Sequence, residues 1–216
     1  MVLIAGLDEA GRGPVIGPLV MAGVLVKEEK LENLKNIGVK DSKLLSPLKR
    51  ERLYDQIIDI AEDHVIIIVP PKEIDNALNS DDMNLNWLEA VKSAEIINKL
   101  KPSKAVVDCP SNNIQAYSNY LKKRLTVKCD LVVEHKADLN YVESGAASIL
   151  AKVTRDNEIE KLKKQCRIDF GSGYPSDPKT VKFLKENYDK YNFFRKSWAS
   201  YKNVIDGKKQ KGLDDY

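Results

Sequence analysis

Residues 2–26 read VLIAGLDEAGRGPVIGPLVMAGVLV: two apolar runs divided by a turn built on Gly11 and Gly13. The first run, residues 2–8, ends on an acid, Asp8, and reads as a buried strand. The second, residues 15–26, reads as another strand, with a bend or bulge at Gly17-Pro18. Two strands separated by so short a turn pair antiparallel, because a parallel return needs a crossover of a dozen residues or so.

The rest of the chain alternates helix and strand. After a polar stretch from 27 to 45, read as loop with room for a short helix, Ser46-Pro47 opens a helix, with Ser as N-cap and Pro in the first turn; Leu53, Ile57 and Ile60 then share one helical face. Residues 65–69 (VIIIV) form a buried strand that Pro70-Pro71 stops. A helix follows over 84–100, a strand over 104–108 ending on Asp108, a helix over 113–124 and a strand over 130–135. A long helix runs from about Glu143 to Gln165. Asp177-Pro178 then caps a helix reaching about Tyr188. A hairpin followed by βαβ crossovers implies an α/β fold with a mixed central sheet flanked by helices. No strands remain after residue 141, so the later helices make a C-terminal helical extension. The expected division is a catalytic core over 1–140, helices that complete it over 141–206, and a mobile polar tail over 207–216.

Composition narrows the chemistry. With 43% hydrophobic and 31% charged residues, the 216-residue chain is expected to be a globular, cytoplasmic monomer. It has no apolar run near the ~20 residues of a membrane span, and its first residues lack the basic flank expected of a secretory signal. Three cysteines without CxxC spacing, Cys109, Cys129 and Cys166, make neither a disulfide framework nor a zinc site. Two histidines, His64 and His135, exclude a histidine-rich metal centre. The net charge is only +3, but residues from 141 onward hold 16 Lys+Arg against 11 Asp+Glu, whereas the first 140 hold 19 against 21. A basic C-terminal third suits an anionic polymer.

The acids fall where such a fold gathers function, at strand ends and in the loops beyond. Asp8 and Glu9 end the first strand, Asp108 ends another, and Asp138 follows a third by three residues. Clustered carboxylates repel, and a divalent cation resolves the repulsion. Oxygen ligands select Mg²⁺ or Mn²⁺ over zinc. Two such ions would clamp the attacking water and leaving oxygen of a phosphodiester, with no histidine or nucleophilic side chain required. One difficulty is geometric: neighbours on a regular strand point to opposite faces, so Asp8 and Glu9 share a site only if the strand ends or twists there.

Asp8-Glu9-Ala10-Gly11-Arg12-Gly13 with Gly17-Pro18 resembles the N-terminal signature of the ribonuclease HII family. Further matches come in the family's order. They are Asp41-Ser42-Lys43, Val107-Asp108, His135-Lys136-Ala137-Asp138, the stretch from Ala146 to Asp156, and Gly171-Ser172-Gly173-Tyr174-Pro175-Ser176-Asp177-Pro178. The resemblance covers about residues 2–205 and is nearest the archaeal, single-chain branch. Cys109-Pro110 departs from the small or polar residues common in the family. Arg12 between two glycines fits this family better than ribonuclease HIII.

The resemblance implies a ribonuclease H-like fold and a metal-dependent endonuclease that cuts 5′ of a ribonucleotide in RNA/DNA hybrids and at RNA–DNA junctions. It also implies roles in ribonucleotide excision repair and DNA replication. Asp8, Glu9, Asp108 and Asp138 match the catalytic acids that hold two Mg²⁺ or Mn²⁺ ions. Gly11, Arg12 and Gly13 match the segment that reads the ribose 2′-hydroxyl, the group separating RNA from DNA. Tyr174 matches a tyrosine that packs on the next sugar. Lys43 matches a phosphate-contacting lysine, and Ser148, Lys152 and Arg155 match positions near the site or the nucleic-acid backbone. For Lys152 and Arg155, three apart on one helix face, a phosphate-facing stripe and a solvated one remain open.

The end of the chain, Gln210-Lys211-Gly212-Leu213-Asp214-Asp215-Tyr216, resembles the short motif by which replication enzymes grip the sliding clamp, with Gln210, Leu213 and Tyr216 at the anchoring positions. A second nuclease of the same broad fold and a non-catalytic duplex-binding adaptor are the rival readings. Arg12 and Tyr174 argue against the first, and the presence of all four acids argues against the second.

Overall fold

The computed structural model describes residues 2–39 and 45–214, with 208–214 described in backbone only. Strand β1 (Leu3–Ala10) pairs antiparallel with β2 (Leu19–Lys27), from Leu3 opposite Lys27 to Ala10 opposite Val20. The expected hairpin partner is therefore present, and the Gly17-Pro18 bend leaves only an isolated bridge, Ile16 to Phe194, outside the strand. β2 is buried on both faces. A strand covered on both sides needs no polar face, which explains its unbroken apolar sequence.

A short helix α1 (Leu31–Asn36) comes next. Helix α2 (Pro47–Ile60) begins as the sequence predicts, with the Ser46 hydroxyl accepting from the Lys49 N–H and Pro47 in the first turn. Strand β3 (Asp63–Val69) leads into helix α3 (Pro71–Leu78), which sequence reasoning missed. Pro70-Pro71 does end the strand, but a proline in a helix's first turn lacks only an N–H that has no intrahelical partner, so the same pair opens a helix. Then come α4 (Leu85–Leu100), β4 (Lys104–Asp108), α5 (Ile114–Lys122), β5 (Asp130–Glu134), α6 (Ala137–Asn140) and α7 (Val142–Cys166). The last helices are α8 (Pro178–Asn187), capped by Asp177, and α9 (Ala199–Asp214). The sheet order is β3-β2-β1-β4-β5, with β1–β4 and β4–β5 parallel: the mixed α/β sheet expected of a ribonuclease H-like fold.

The chain divides into two compact units. The first holds the segments up to Ala10, Val20–Ile68 and Leu85–Arg155. One face of its sheet, from Val20, Ala22, Val24 and Val26, buries Leu34 of α1, Leu53 and Ile57 of α2, and Ala146, Ala147 and Leu150 of α7. The start of α7 lies so near β1 that a Cβ on Gly6 would overlap the Glu143–Ser144 backbone. Only glycine permits that approach. The second unit holds Gly11–Leu19, Val69–Asn84 and the chain from Asp156 onward. Its core is aromatic: Phe170, Phe183, Phe193, Phe194 and Tyr201 surround Val15, Ile16 and Ile159.

These units cut the chain differently from the boundary expected at 140/141. The first half of α7 belongs with the sheet, because its apolar residues cover β2, and two earlier segments belong with the C-terminal helices. Where the sequence suggested a tail from Gly207, the backbone stays helical through Asp214. No described helix is long and apolar enough to cross a membrane.

Candidate active site

The β1–β4 register begins the site. Leu7 pairs with Val107, so the next residue on each parallel strand is an aspartate, Asp8 and Asp108. Among the described residues, Asp8, Glu9 and Asp108 each offer a carboxylate oxygen, and the three lie within 4.8 Å of one another. The strand does not end at Asp8, since pairing with β2 continues to Ala10. The parity difficulty is met by the side chain instead. Asp8 leans along its own strand towards the next residue, its Oδ1 accepting the Glu9 N–H at 2.7 Å. The turn comes after the strand, at Gly11, whose φ of 84° lies in the region that favours glycine.

Asp138 stands in the first turn of α6, buried, and outside that trio. Lys136, in the left-handed region at φ 59°, turns the chain back after β5. The Ala137 N–H then donates to Asp108 Oδ1 at 2.8 Å, so the residue beside Asp138 is tied directly to the cluster. The His135 ring nitrogen Nδ1 lies 2.9 Å from the Cys109 carbonyl and braces the same turn. Cys109 is buried, its thiol pushed up by that burial, which fits a small packing residue.

The electrostatics are those of buried, crowded carboxylates. Asp8 is 6% exposed, and its carboxyl is raised well above the ordinary carboxylate range. Burial is the main cause and the negative neighbours Glu9 and Asp108 add to it, against the Ser148 hydroxyl and the Glu9 N–H, which favour the charged form. A cation would reverse the balance by supplying the missing counter-charge. The donors are all oxygen, so the set fits a hard divalent ion.

Ser148 on α7 is thus brought to Asp8, one turn beyond the close approach at Gly6. Lys152 lies a turn further on, partly exposed. Arg155 is only 3% exposed, so neither a solvated stripe nor an open phosphate-facing one describes it. Lys43 and Tyr216 lie outside the described residues. Gln210 and Leu213 fall on the backbone of α9, where side chains are not described.

Within the second unit, the loop of Gly11, Arg12 and Gly13 reaches Tyr174 at Gly13. A Cβ on Gly13 would stand 3.6 Å from the Tyr174 ring. The Gly173 carbonyl accepts from the Val15 N–H at 2.9 Å, and the Gly173 N–H donates to Thr180 Oγ1 at 3.0 Å. Two motifs about 160 residues apart in sequence therefore form one structure. Sequence reasoning passed over residues 193–198, which fold back on this loop through Arg195 N–H to Val15 O at 2.8 Å. The one signal available was their position in the basic third.

The model of the family described as ribonuclease HII matches residues 5–201. The chain belongs to the ribonuclease HII family. A ribonuclease HII of Pyrococcus furiosus is 49% identical over 214 residues, 96% of this chain and 93% of that one. The crystal structure of the ribonuclease H2 from Pyrococcus horikoshii superposes with a TM-score of 0.88 at 43% identity, covering 95% and 98% of the two chains. The structure of the PCNA:RNase HII complex from Archaeoglobus fulgidus gives 0.83 at 41%, covering 91% and 95%. The enzyme is accordingly a type HII ribonuclease H, and the acid cluster of β1 and β4 is the part of this ribonuclease HII suited to a divalent cation.

Proposed function

We propose that this ribonuclease HII hydrolyses the phosphodiester 5′ of a ribonucleotide in RNA/DNA hybrids and at RNA–DNA junctions in duplex DNA, leaving a 3′-hydroxyl and a 5′-phosphate. The observation that carries this reading is the convergence of Asp8, Glu9 and Asp108, with Asp138 one residue from the Ala137 N–H that binds Asp108. Asp8, Glu9, Asp108 and Asp138 would hold two Mg²⁺ or Mn²⁺ ions. When bound, such ions activate water and stabilise the leaving oxygen of an in-line displacement.

The chain's own residues do the rest. Ser148 orients the Asp8 carboxylate through its hydroxyl. The Ala137 N–H fixes one oxygen of the Asp108 carboxylate. Gly11, Arg12 and Gly13 read the 2′-hydroxyl, and only Ala10 separates them from Glu9 in the chain. Tyr174 packs on the following sugar, where a 2′-hydroxyl would clash. Lys43 and Lys152 contact backbone phosphates. Arg155, being buried, serves the site by bracing α7. In the cell this activity removes misincorporated ribonucleotides and primer RNA.

A relative has been solved as a PCNA complex, which supports reading Gln210, Leu213 and Tyr216 as an anchor for the sliding clamp. The enzyme works as a cytoplasmic monomer tethered to its duplex in this way. The deciding experiment is cleavage of a DNA duplex bearing one ribonucleotide, with and without Mg²⁺, the cut mapped to the nucleotide. A single metal-dependent cut 5′ of the ribonucleotide is expected. Equal cutting of all-DNA duplex, or cutting in EDTA, would overturn the proposal.

A further inference from the structure

Arg195 heads the fully buried side chains by size, and it is charged. A guanidinium removed this completely from water is costly unless its N–H groups find acceptors. Here it is aimed at backbone carbonyls of the glycine loop, 178 to 184 residues earlier in the chain. Nε donates to Gly17 O at 2.9 Å, one terminal nitrogen to Arg12 O at 3.0 Å, and the other to Gly11 O at 2.6 Å. Trp198 lies with its ring 4.7 Å from the guanidinium carbon, and its Nε1–H donates to Gly13 O at 3.1 Å. The corner that carries both side chains is itself held. On α3, Asp75 accepts the N–H groups of Lys196 and Ser197, each at 2.9 Å, and the Ser197 hydroxyl at 2.6 Å.

Three successive carbonyls, those of Gly11, Arg12 and Gly13, thus point into the Arg195–Trp198 corner. In a trans peptide the N–H lies opposite the C=O of the same plane. The Arg12 N–H shares its plane with Gly11 O, and the Gly13 N–H shares its plane with Arg12 O. Each therefore turns away from the guanidinium that holds its carbonyl. The third plane ends at Pro14, which has no N–H. Adjacent N–H groups on one side make a donor pair suited to an oxygen ligand. The cationic donor on the Gly11 and Arg12 carbonyls also polarises those peptides and strengthens the opposite N–H.

We propose that Arg195, seconded by Trp198, is the positioning residue that aims the Arg12 and Gly13 amides at the ribose hydroxyl, and so sets how strongly the enzyme favours a ribonucleotide. This rests on the reading of Gly11–Gly13 as the ribose reader. Lysine cannot substitute, because one ammonium nitrogen does not span three carbonyls set as a fork.

The test uses the full-length protein, a duplex with one ribonucleotide and its all-deoxy counterpart. Trp198→Phe keeps a ring beneath the guanidinium and deletes one donor; Arg195→Lys keeps the charge and loses the fork. Assays run well below each variant's unfolding midpoint, on folded protein measured by circular dichroism. For Trp198→Phe, kcat/KM should fall about fivefold, the worth of one hydrogen bond. For Arg195→Lys the fall should be about 30-fold, since charge-assisted bonds are the stronger ones. Affinity for Mn²⁺, read from the metal-induced rise in unfolding temperature, should stay at the wild-type value in both. Hydrogen exchange at the Arg12 and Gly13 amides should quicken. Folded variants within twofold of wild type in kcat/KM overturn the inference while leaving the proposed function standing. So does a parallel loss of Mn²⁺ affinity, which would mark a general collapse. A wild type that fails to distinguish the two duplexes removes the reading beneath it. If Arg195→Lys does not fold, Trp198→Phe alone decides.

Discussion

Replacing Asp8 by Asn should make the enzyme more stable without metal and inactive with it. Asn keeps the size and the oxygen that accepts the Glu9 N–H at 2.7 Å, so the strand is preserved. It removes a charge that sits 6% exposed within 4.8 Å of carboxylate oxygens of Glu9 and Asp108. Two unit charges at that separation repel by about 3 kcal/mol at an effective dielectric near 20. The Ser148 hydroxyl and the Glu9 N–H, which favour the charged form, offset part of this, so a net gain of about 2 kcal/mol is expected in EDTA. For a chain of this length that is a rise of about 4–8 °C in Tm.

The sign with pH comes from the raised carboxyl. The wild-type protein is at no disadvantage below the ordinary Asp pKa, where the group is neutral in both states. It loses stability as pH rises through the elevated folded-state value. The advantage of Asp8→Asn without metal therefore grows between mildly acid and neutral pH. Adding Mn²⁺ should invert the order, because only the wild type keeps all four acids proposed to hold the cation. Cleavage falls by roughly 10³-fold or more, the several kcal/mol that a metal contributes to the transition state. Thermal melts at pH 5 and pH 7.5, with EDTA or Mn²⁺, and single-turnover cleavage together check this. A variant less stable than wild type in EDTA at pH 7.5, or one retaining a tenth of the activity, would refute the reasoning.

Gly6→Ala should cost about 3 kcal/mol or more by denaturant titration, because its methyl meets the Glu143–Ser144 backbone rather than a movable side chain. It should also depress activity by pushing Ser148 away from Asp8. In the second unit, Lys179, the Gly171 N–H and Lys163 hold the Asp169 carboxyl down to about 2. Its contribution to stability is complete above the ordinary Asp value and is lost as pH falls through about 2. Melts from pH 5 to pH 2 should therefore show Asp169→Asn lagging wild type at pH 5 and converging with it at the acid end. Deleting residues 210–216 should leave cleavage of a short duplex unchanged while abolishing co-elution with the sliding clamp in size-exclusion chromatography. Retained co-elution would move the clamp contact elsewhere.

Much of this molecule is written locally. The apolar runs, the Ser46 and Asp177 caps and the boundaries of β4 and α4 depend on neighbours a few residues away, and the chain order of hairpin and crossovers depends on connection length. Pro70-Pro71 misled because the same pair serves equally as the end of a strand and the first turn of a helix. The residues after the pair decide between the two, and α3 carries Asp75, whose partners at 196 and 197 are remote. Asp8 and Asp108 were legible as acids at strand ends, but their adjacency is a matter of register, which no local pattern records. The pairing of Asp8 with Glu9 depended on the Asp8 side chain leaning along the strand to the Glu9 N–H.

Arg195 was the hardest to see. In sequence it is one more cation in a basic third, and its work is done on carbonyl oxygens, which every residue possesses and no residue type signals. The order of amino acids settles which groups exist and which segments become helix or strand, since propensity, capping and periodicity act over one or two turns. Which of those groups meet, and which way each peptide faces, is fixed in the folded chain alone, because strand register and buried hydrogen bonds join residues more than a hundred positions apart.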